Sequence, residues 1–208
     1  MKRRRTPRRH DARLNELVRF ARTNGATYVK IISARDVFVD KRVRLKCIVP
    51  RCSGYDTNLL CPPNLMPVDE FKETLDLYAH ALLLQVEADF DSMDKYPRHL
   101  DNSLCEGIES ETDSRRWQLM LLQLVNKTEA VAFKMGFYFA AGLSGGECCL
   151  CDECVGPYSR KKCKHPFESR PSMEAMGVDV IRTCKKAGMP VHLSSKNRVR
   201  WTGLVLLD

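Results

Sequence analysis

The residues best equipped for chemistry are cysteines. Five of the ten, Cys148, Cys149, Cys151, Cys154 and Cys163, fall within sixteen residues. Three of them form a C-x2-C-x2-C run, Cys148, Cys151 and Cys154, preceded by Gly145-Gly146 and followed by Cys163 in Cys163-Lys164-His165-Pro166. Thiols two residues apart converge when the chain turns tightly, and the glycines let backbone amides rotate toward the sulfurs. Such a run is a metal-site signature, with Cys148, Cys151, Cys154 and Cys163 as four thiolate ligands.

Structural zinc sites join two knuckles across a spacer, each knuckle giving two ligands to one tetrahedral ion. Three thiols in quick succession wrap more naturally around three corners of a cubane, with a more distant cysteine at the fourth. The spacing therefore favours a [4Fe-4S] cluster, and zinc remains the alternative. Eight residues separate Cys154 from Cys163, against three in the bacterial ferredoxin run, so the chain is not a simple ferredoxin.

A second group, Cys47, Cys52 and Cys61, has the spacing C-x4-C-x8-C, and Pro50, Gly54, Pro62 and Pro63 exclude a regular element in favour of a rigid loop. These three are candidate metal ligands without an obvious fourth. Completion by Cys149 or by a residue such as His80 would close a second cluster or a zinc site. An open fourth position would let one iron bind substrate as a Lewis acid. The plainer alternative is a set of buried thiols in the core. Cys184 is expected to be a core residue and Cys105 a loop thiol. His165 either hydrogen-bonds a cluster sulfur or is a solvated loop residue, and Arg170 either places positive charge near the cluster or pairs with Glu174 on the surface. The chain contains no phosphate-binding glycine loop, nucleophile elbow, H-E-x-x-H zinc motif or C-x3-C-x2-C radical motif.

The 208 residues are 44% hydrophobic, enough for one domain with a sizeable core. The formal charge is +8, but six basic and no acidic residues fall in the first ten; the remainder carries 28 basic against 26 acidic residues. Residues 1–10 therefore read as a basic, disordered arm, and residues 11–208 as the metal-binding domain. Nucleic acid is not the expected partner except through that arm; a redox partner protein is. Neither a signal-peptide pattern nor a membrane-spanning apolar stretch is evident, so a soluble, cytoplasmic protein is expected. In a reducing compartment clustered cysteines argue for metal over disulfides.

Several elements must position these thiols. A helix capped by Asp11 carries Leu14, Leu17, Val18 and Ala21 on one side. Strands are predicted over Ala26 to Ala34 and Val37 to Leu45, the second delivering Cys47 into its loop. A helix starts at Pro67, a buried strand spans Ala81 to Val86, and Asp89 to Ser110 is irregular. The strongest helix runs from Thr112 to Gly136, and Phe137 to Ala141 is a strand entering the second cysteine loop. Beyond Cys163, short helices are predicted from Arg170 to Ala175 and from Asp179 to Lys186, then strands at Val191 to Leu193 and Val199 to Leu207. The alternation predicts an α/β fold: a single globular domain with a mixed sheet flanked by helices and two cysteine-rich metal-binding loops.

Lys46-Cys47, Cys52-x-x-Tyr55, Cys61-Pro62-Pro63, the Cys148 triplet, and Cys163-x-x-Pro166 followed by Arg170-Pro171-Ser172-Met173-Glu174-Ala175-x-Gly177-Val178-Asp179-Val180 resemble the predicted metal-binding proteins of the domain of unknown function family numbered 2284. The resemblance covers about residues 26 to 208. It implies metal binding and anaerobic bacterial and archaeal relatives, with a cysteine pattern falling on Cys47, Cys52, Cys61, Cys148, Cys151, Cys154 and Cys163. The extra thiol of Cys149 departs from that pattern. It also draws Ser172 to Ala175 toward the site, either as a helix start aiming free amides at an anion, with Glu174 moving a proton, or as a capped helix packing Met173 inward.

Three functions follow. The first is an iron-sulfur protein of anaerobic metabolism acting in electron transfer, with one [4Fe-4S] cluster or two. The second is an enzyme whose open iron binds substrate, and the third is a zinc-stabilised binding module.

Overall fold

The computed structural model describes residues 7–89, 112–191 and 198–208. The first six residues of the expected arm, most of the expected irregular connection with Cys105, and the end of the Val191 to Leu193 strand lie outside them.

Helix α1 (Pro7–Thr23) leads into strand β1 (Tyr28–Ser33), followed by 3-10 turns and a single helical turn α2 (Leu45–Ile48). Next come α3 (Val68–Leu75), β2 (His80–Asp89), α4 (Thr112–Lys134), β3 (Ala141–Leu143), α5 (Val180–Lys186) and β4 (Arg198–Leu207). The strands form one sheet in the order β1-β2-β4-β3. All three ladders are antiparallel, where a mixed sheet was expected. The α/β domain itself is as anticipated. No helix among the described residues is long and apolar enough to cross a membrane.

The apolar run in β2 is explained by helices and turns on both faces of the sheet. Leu82, Leu84 and Val86 point with Val29, Val205 and Leu207 into a core completed by α1 and α4. Ala81 and Leu83 point the other way with Leu204 and Leu206, against α3, α5 and the segment holding Met173, Met176 and Val178. A strand buried on both sides has no reason to alternate apolar with polar.

Some boundaries and two element types differ from expectation. Helix α1 begins at Pro7, so Asp11 lies inside it and residues 7–10 belong to the helix. The predicted strand from Val37 to Leu45 consists instead of 3-10 turns ending in α2; its one sheet-like contact is the bridge from Val39 to Val178. The partner taken up by β1 is β2, with Val29 opposite Leu84, a far more apolar strand than the Arg42- and Arg44-bearing segment. Phe137 to Ala140 form a turn, and only Ala141–Leu143 join the sheet. Pro67 caps α3 rather than starting it, and Asp179 caps α5 by accepting from the Arg182 amide at 2.9 Å.

Helix α4 lies so close to β3 and β4 that two strand positions must be glycine. A Cβ on Gly203 would stand 2.7 Å from Val125 Cγ2 and 3.0 Å from the Leu143 carbonyl oxygen. A Cβ on Gly142 would stand 2.6 Å from Val125 Cγ1. Gly203→Ala is therefore expected to lower stability by about 1–3 kcal/mol through overpacking, read as a lower urea midpoint with an unchanged denaturant slope.

Candidate metal centre

Both cysteine loops hang from one stretch of backbone. Ser144, just past β3, donates its amide to the Pro171 carbonyl at 2.9 Å and accepts from Met173 at 2.8 Å. This pins the beginning and end of the loop that carries Cys148, Cys151, Cys154 and Cys163. Six residues on, Asp40 donates to the Gly177 carbonyl and Asp179 to that of Phe38, both at 2.8 Å, fixing the chain that enters the Cys47 loop. Arg44 reinforces that entry through the carbonyls of Ala175 (2.7 Å) and Met66 (2.8 Å).

The Ser172 to Val178 segment is thus a connector, not a helix start. Ser172 Oγ accepts from the Ala175 amide at 3.0 Å, the Ser172 carbonyl accepts from Met176, and Met173 is fully buried. The amides of Met173, Ala175, Met176, Gly177 and Val178 are committed to partners, which leaves no cradle for an anion there. Glu174 keeps area open to solvent but sits in a recess crowded by protein, and this desolvation raises its carboxyl pKa. Its charge is felt at Cys47.

Helix α4 supports the second loop along its length. Arg115 donates to the Cys149 carbonyl at 3.0 and 3.3 Å and pairs with Asp152 at 3.2 Å. Asn126 donates to the Glu168 carbonyl at 2.7 Å. Glu129 accepts both prongs of Arg170, at 2.8 and 2.9 Å, while Arg170 holds the carbonyls of Phe167 and Ser169. Arg170 is therefore a clamp on the loop. Helical periodicity identifies α4, but nothing in it shows that these polar side chains face the cysteines.

Cys148, Cys151, Cys154 and Cys163 line a single recess together with Asn58, Lys164 and His165. Each of the other three thiols acts electrostatically on Cys148, so the four sulfurs the spacing brings together in sequence are also neighbours in space. The His165 amide donates to Cys163 Sγ at 3.4 Å, the kind of contact that stabilises a thiolate. His165 thus contributes its backbone, a role its side chain does not reveal.

Cys47, Cys52 and Cys61 form the second set. Cys52 is exposed and Cys61 buried, and Cys61 feels the charges of Glu147, Cys52, Cys47 and Cys148. The two loops are in contact. Asn58, buried within the first loop, donates to the Cys148 carbonyl at 3.3 Å and accepts from the Leu60 amide at 2.9 Å. Tyr158 donates to the Asp56 carboxylate at 2.8 to 2.9 Å. Asn58, Glu147, Arg115 and Tyr158 escape sequence reasoning; only Glu147, adjacent to Cys148, carries a signal of its place.

Burial pushes the thiols of Cys61 and Cys149 up to about 12 from an ordinary 9.0. Cys184 rises to about 11, buried against Gln85 and Thr202, and is the core residue expected. Among the described residues, no group of three or more His, Cys, Asp or Glu side chains stands at the spacing that holds a single metal ion. Four thiols ranged around one recess nonetheless supply the donor chemistry of a thiolate-bound inorganic group.

The cysteine-rich loops on this α/β scaffold are those of a metal-binding protein. The chain belongs to the family of predicted metal-binding proteins designated DUF2284, whose sequence profile matches residues 30–207. Comparison with curated proteins finds no match. Comparison with solved structures likewise finds none.

Asn58→Ala removes the buried one of the hydrogen bonds that join the loops and is expected to cost about 1–3 kcal/mol, measured by chemical unfolding. A pH effect follows from the thiols. With Cys61 and Cys149 raised, the folded metal-free chain binds more protons than the unfolded chain between pH 9.0 and about 12. Their contribution to stability is full below that window and lost as pH rises through it. The urea midpoint of chelator-treated protein should therefore fall at alkaline pH, and less steeply in a Cys61→Ala, Cys149→Ala double variant.

Proposed function

We propose that the protein is an iron-sulfur protein that transfers electrons in anaerobic metabolism, with a [4Fe-4S] cluster held by Cys148, Cys151, Cys154 and Cys163. The observation that carries this reading is the convergence of these four thiols on one recess. Four thiols on one recess, three of them from a C-x2-C-x2-C run, suit the corners of a cubane better than the paired knuckles of a zinc site. A bound cluster would supply one-electron chemistry. The chain's own contribution is to fix four sulfurs through Arg115, Asn126 and Arg170, donate an amide to Cys163, and keep the sulfurs only partly exposed.

Cys47, Cys52 and Cys61 would hold a second metal group. In the Cys148 loop the exposed Arg160, Lys161, Lys162 and Lys164 set positive charge beside a cluster whose thiolate-bound form is anionic. Such a rim favours an acidic redox partner protein. The reading places the protein in a reducing, cytoplasmic compartment, consistent with cysteines left free.

Anaerobic purification tests the proposal. The expected product is brown, absorbs broadly near about 400 nm, bleaches on reduction and contains about four irons per occupied site. Cys151→Ala or Cys154→Ala should remove the four irons of the first site. Colourless protein carrying only zinc would overturn the iron-sulfur reading and leave the binding module in its place.

A further inference from the structure

The Cys47, Cys52 and Cys61 set offers three thiols, and neither fourth ligand anticipated from the sequence stands with it. His80 opens β2, opposite Ser33 and Leu207. The Cys148 loop leaves the sheet farther along that strand: Gly145 packs on Thr202, the partner of Gln85 near its middle. Cys149 is half-buried, and the charges that act on it most are those of Cys148, Arg115 and Glu147 rather than of Cys47, Cys52 or Cys61.

Glu147 does stand beside Cys61, the buried member of the set. It reaches across from the second loop to Gly54 of the first, between Cys52 and Cys61. A Cβ on buried Gly54 would lie 2.5 Å from Glu147 Oε2 and 3.0 Å from Cys61 Sγ. Carboxylate and thiol therefore lie within the sum of those distances of each other, over a position where only glycine leaves room. Glu147 is exposed and also lines an open groove with Thr57, Asn58, Cys148, Asp152, Glu153 and Cys154.

We propose that Glu147 is the fourth ligand of the Cys47, Cys52 and Cys61 site, completing a set of three thiolates and one carboxylate drawn from both loops. This rests on reading those three cysteines as metal ligands. A carboxylate oxygen is a harder donor than a thiolate and holds a soft, thiolate-bound metal less firmly. The oxygen-bound position is thus the exchangeable one, and the exposure of Glu147 leaves it open to a small neutral oxygen donor such as water. Cys149 is not a ligand; its backbone carbonyl anchors the loop to Arg115.

The test is anaerobic metal analysis of the full chain, with electron paramagnetic resonance and the rate of metal release to a chelator. Glu147→Ala should release second-site metal at least tenfold faster and alter its spectrum, while first-site metal is unchanged, which also verifies folding. Gly54→Ala, whose methyl displaces the carboxylate, should act in the same direction. Glu147→Cys should restore slow release with added thiolate character, and Cys149→Ala should match the parent. Parental release and spectrum in Glu147→Ala, or the expected loss in Cys149→Ala instead, would overturn the assignment. Full metal content in Cys61→Ala would show that the set binds no metal and remove the underlying reading as well.

Discussion

The pairing of Ser172 to Asp179 with its two neighbours is the constraint on which the rest of the structure depends. One end of this short segment bonds to Ser144 beyond β3, the other to Phe38 and Asp40 ahead of the Cys47 loop. Its side chains Met173, Met176 and Val178 fill the core on one face of the sheet. Backbone pairing and apolar burial therefore act on the same residues, and two loops about a hundred positions apart share one foundation. Were the segment a helix, its amides would be spent internally and could not hold both loops.

The loops themselves have little regular structure, and their order comes from tethers. Proline restricts the first loop and buried Asn58 ties it to the second. The second relies on α4 through Arg115, Asn126 and Arg170. Most of these bonds end on backbone carbonyls, so they fix the path of the chain while leaving the sulfurs free for chemistry. Cys148, Cys151, Cys154 and Cys163 line a space to which the first loop contributes Asn58, Leu59 and Leu60.

Much of this was legible in the sequence where a physical signal is local. The periodicity of Leu14, Leu17 and Ala21, the unbroken apolar stretch of β2 and the C-x2-C-x2-C run each announce an element or a site. Less legible was anything decided by competition or by distance. Val37 to Leu45 has the β-branched residues of a strand, but β2 offers β1 a better partner. Ser172 to Ala175 has the composition of a cap, and it does form a capped turn, yet the turn ends at Gly177 because the chain must return to Phe38. Asn58 and Glu147 are ordinary polar residues in sequence; only the meeting of two remote loops gives them partners.

Helix α4 has a consequence for how the molecule comes together. Its tethers to the second loop extend from Arg115 to Glu129, close to four helical turns. The helix is seated on the sheet by Leu121, Leu124 and Val125, side chains that owe nothing to the thiols. Helix and sheet are thus joined by apolar contacts that do not involve the thiols, and the loop lies along the helix like a strip fastened to a rule. Metal would arrive at a frame already standing, and its loss would slacken the strip without bending the rule.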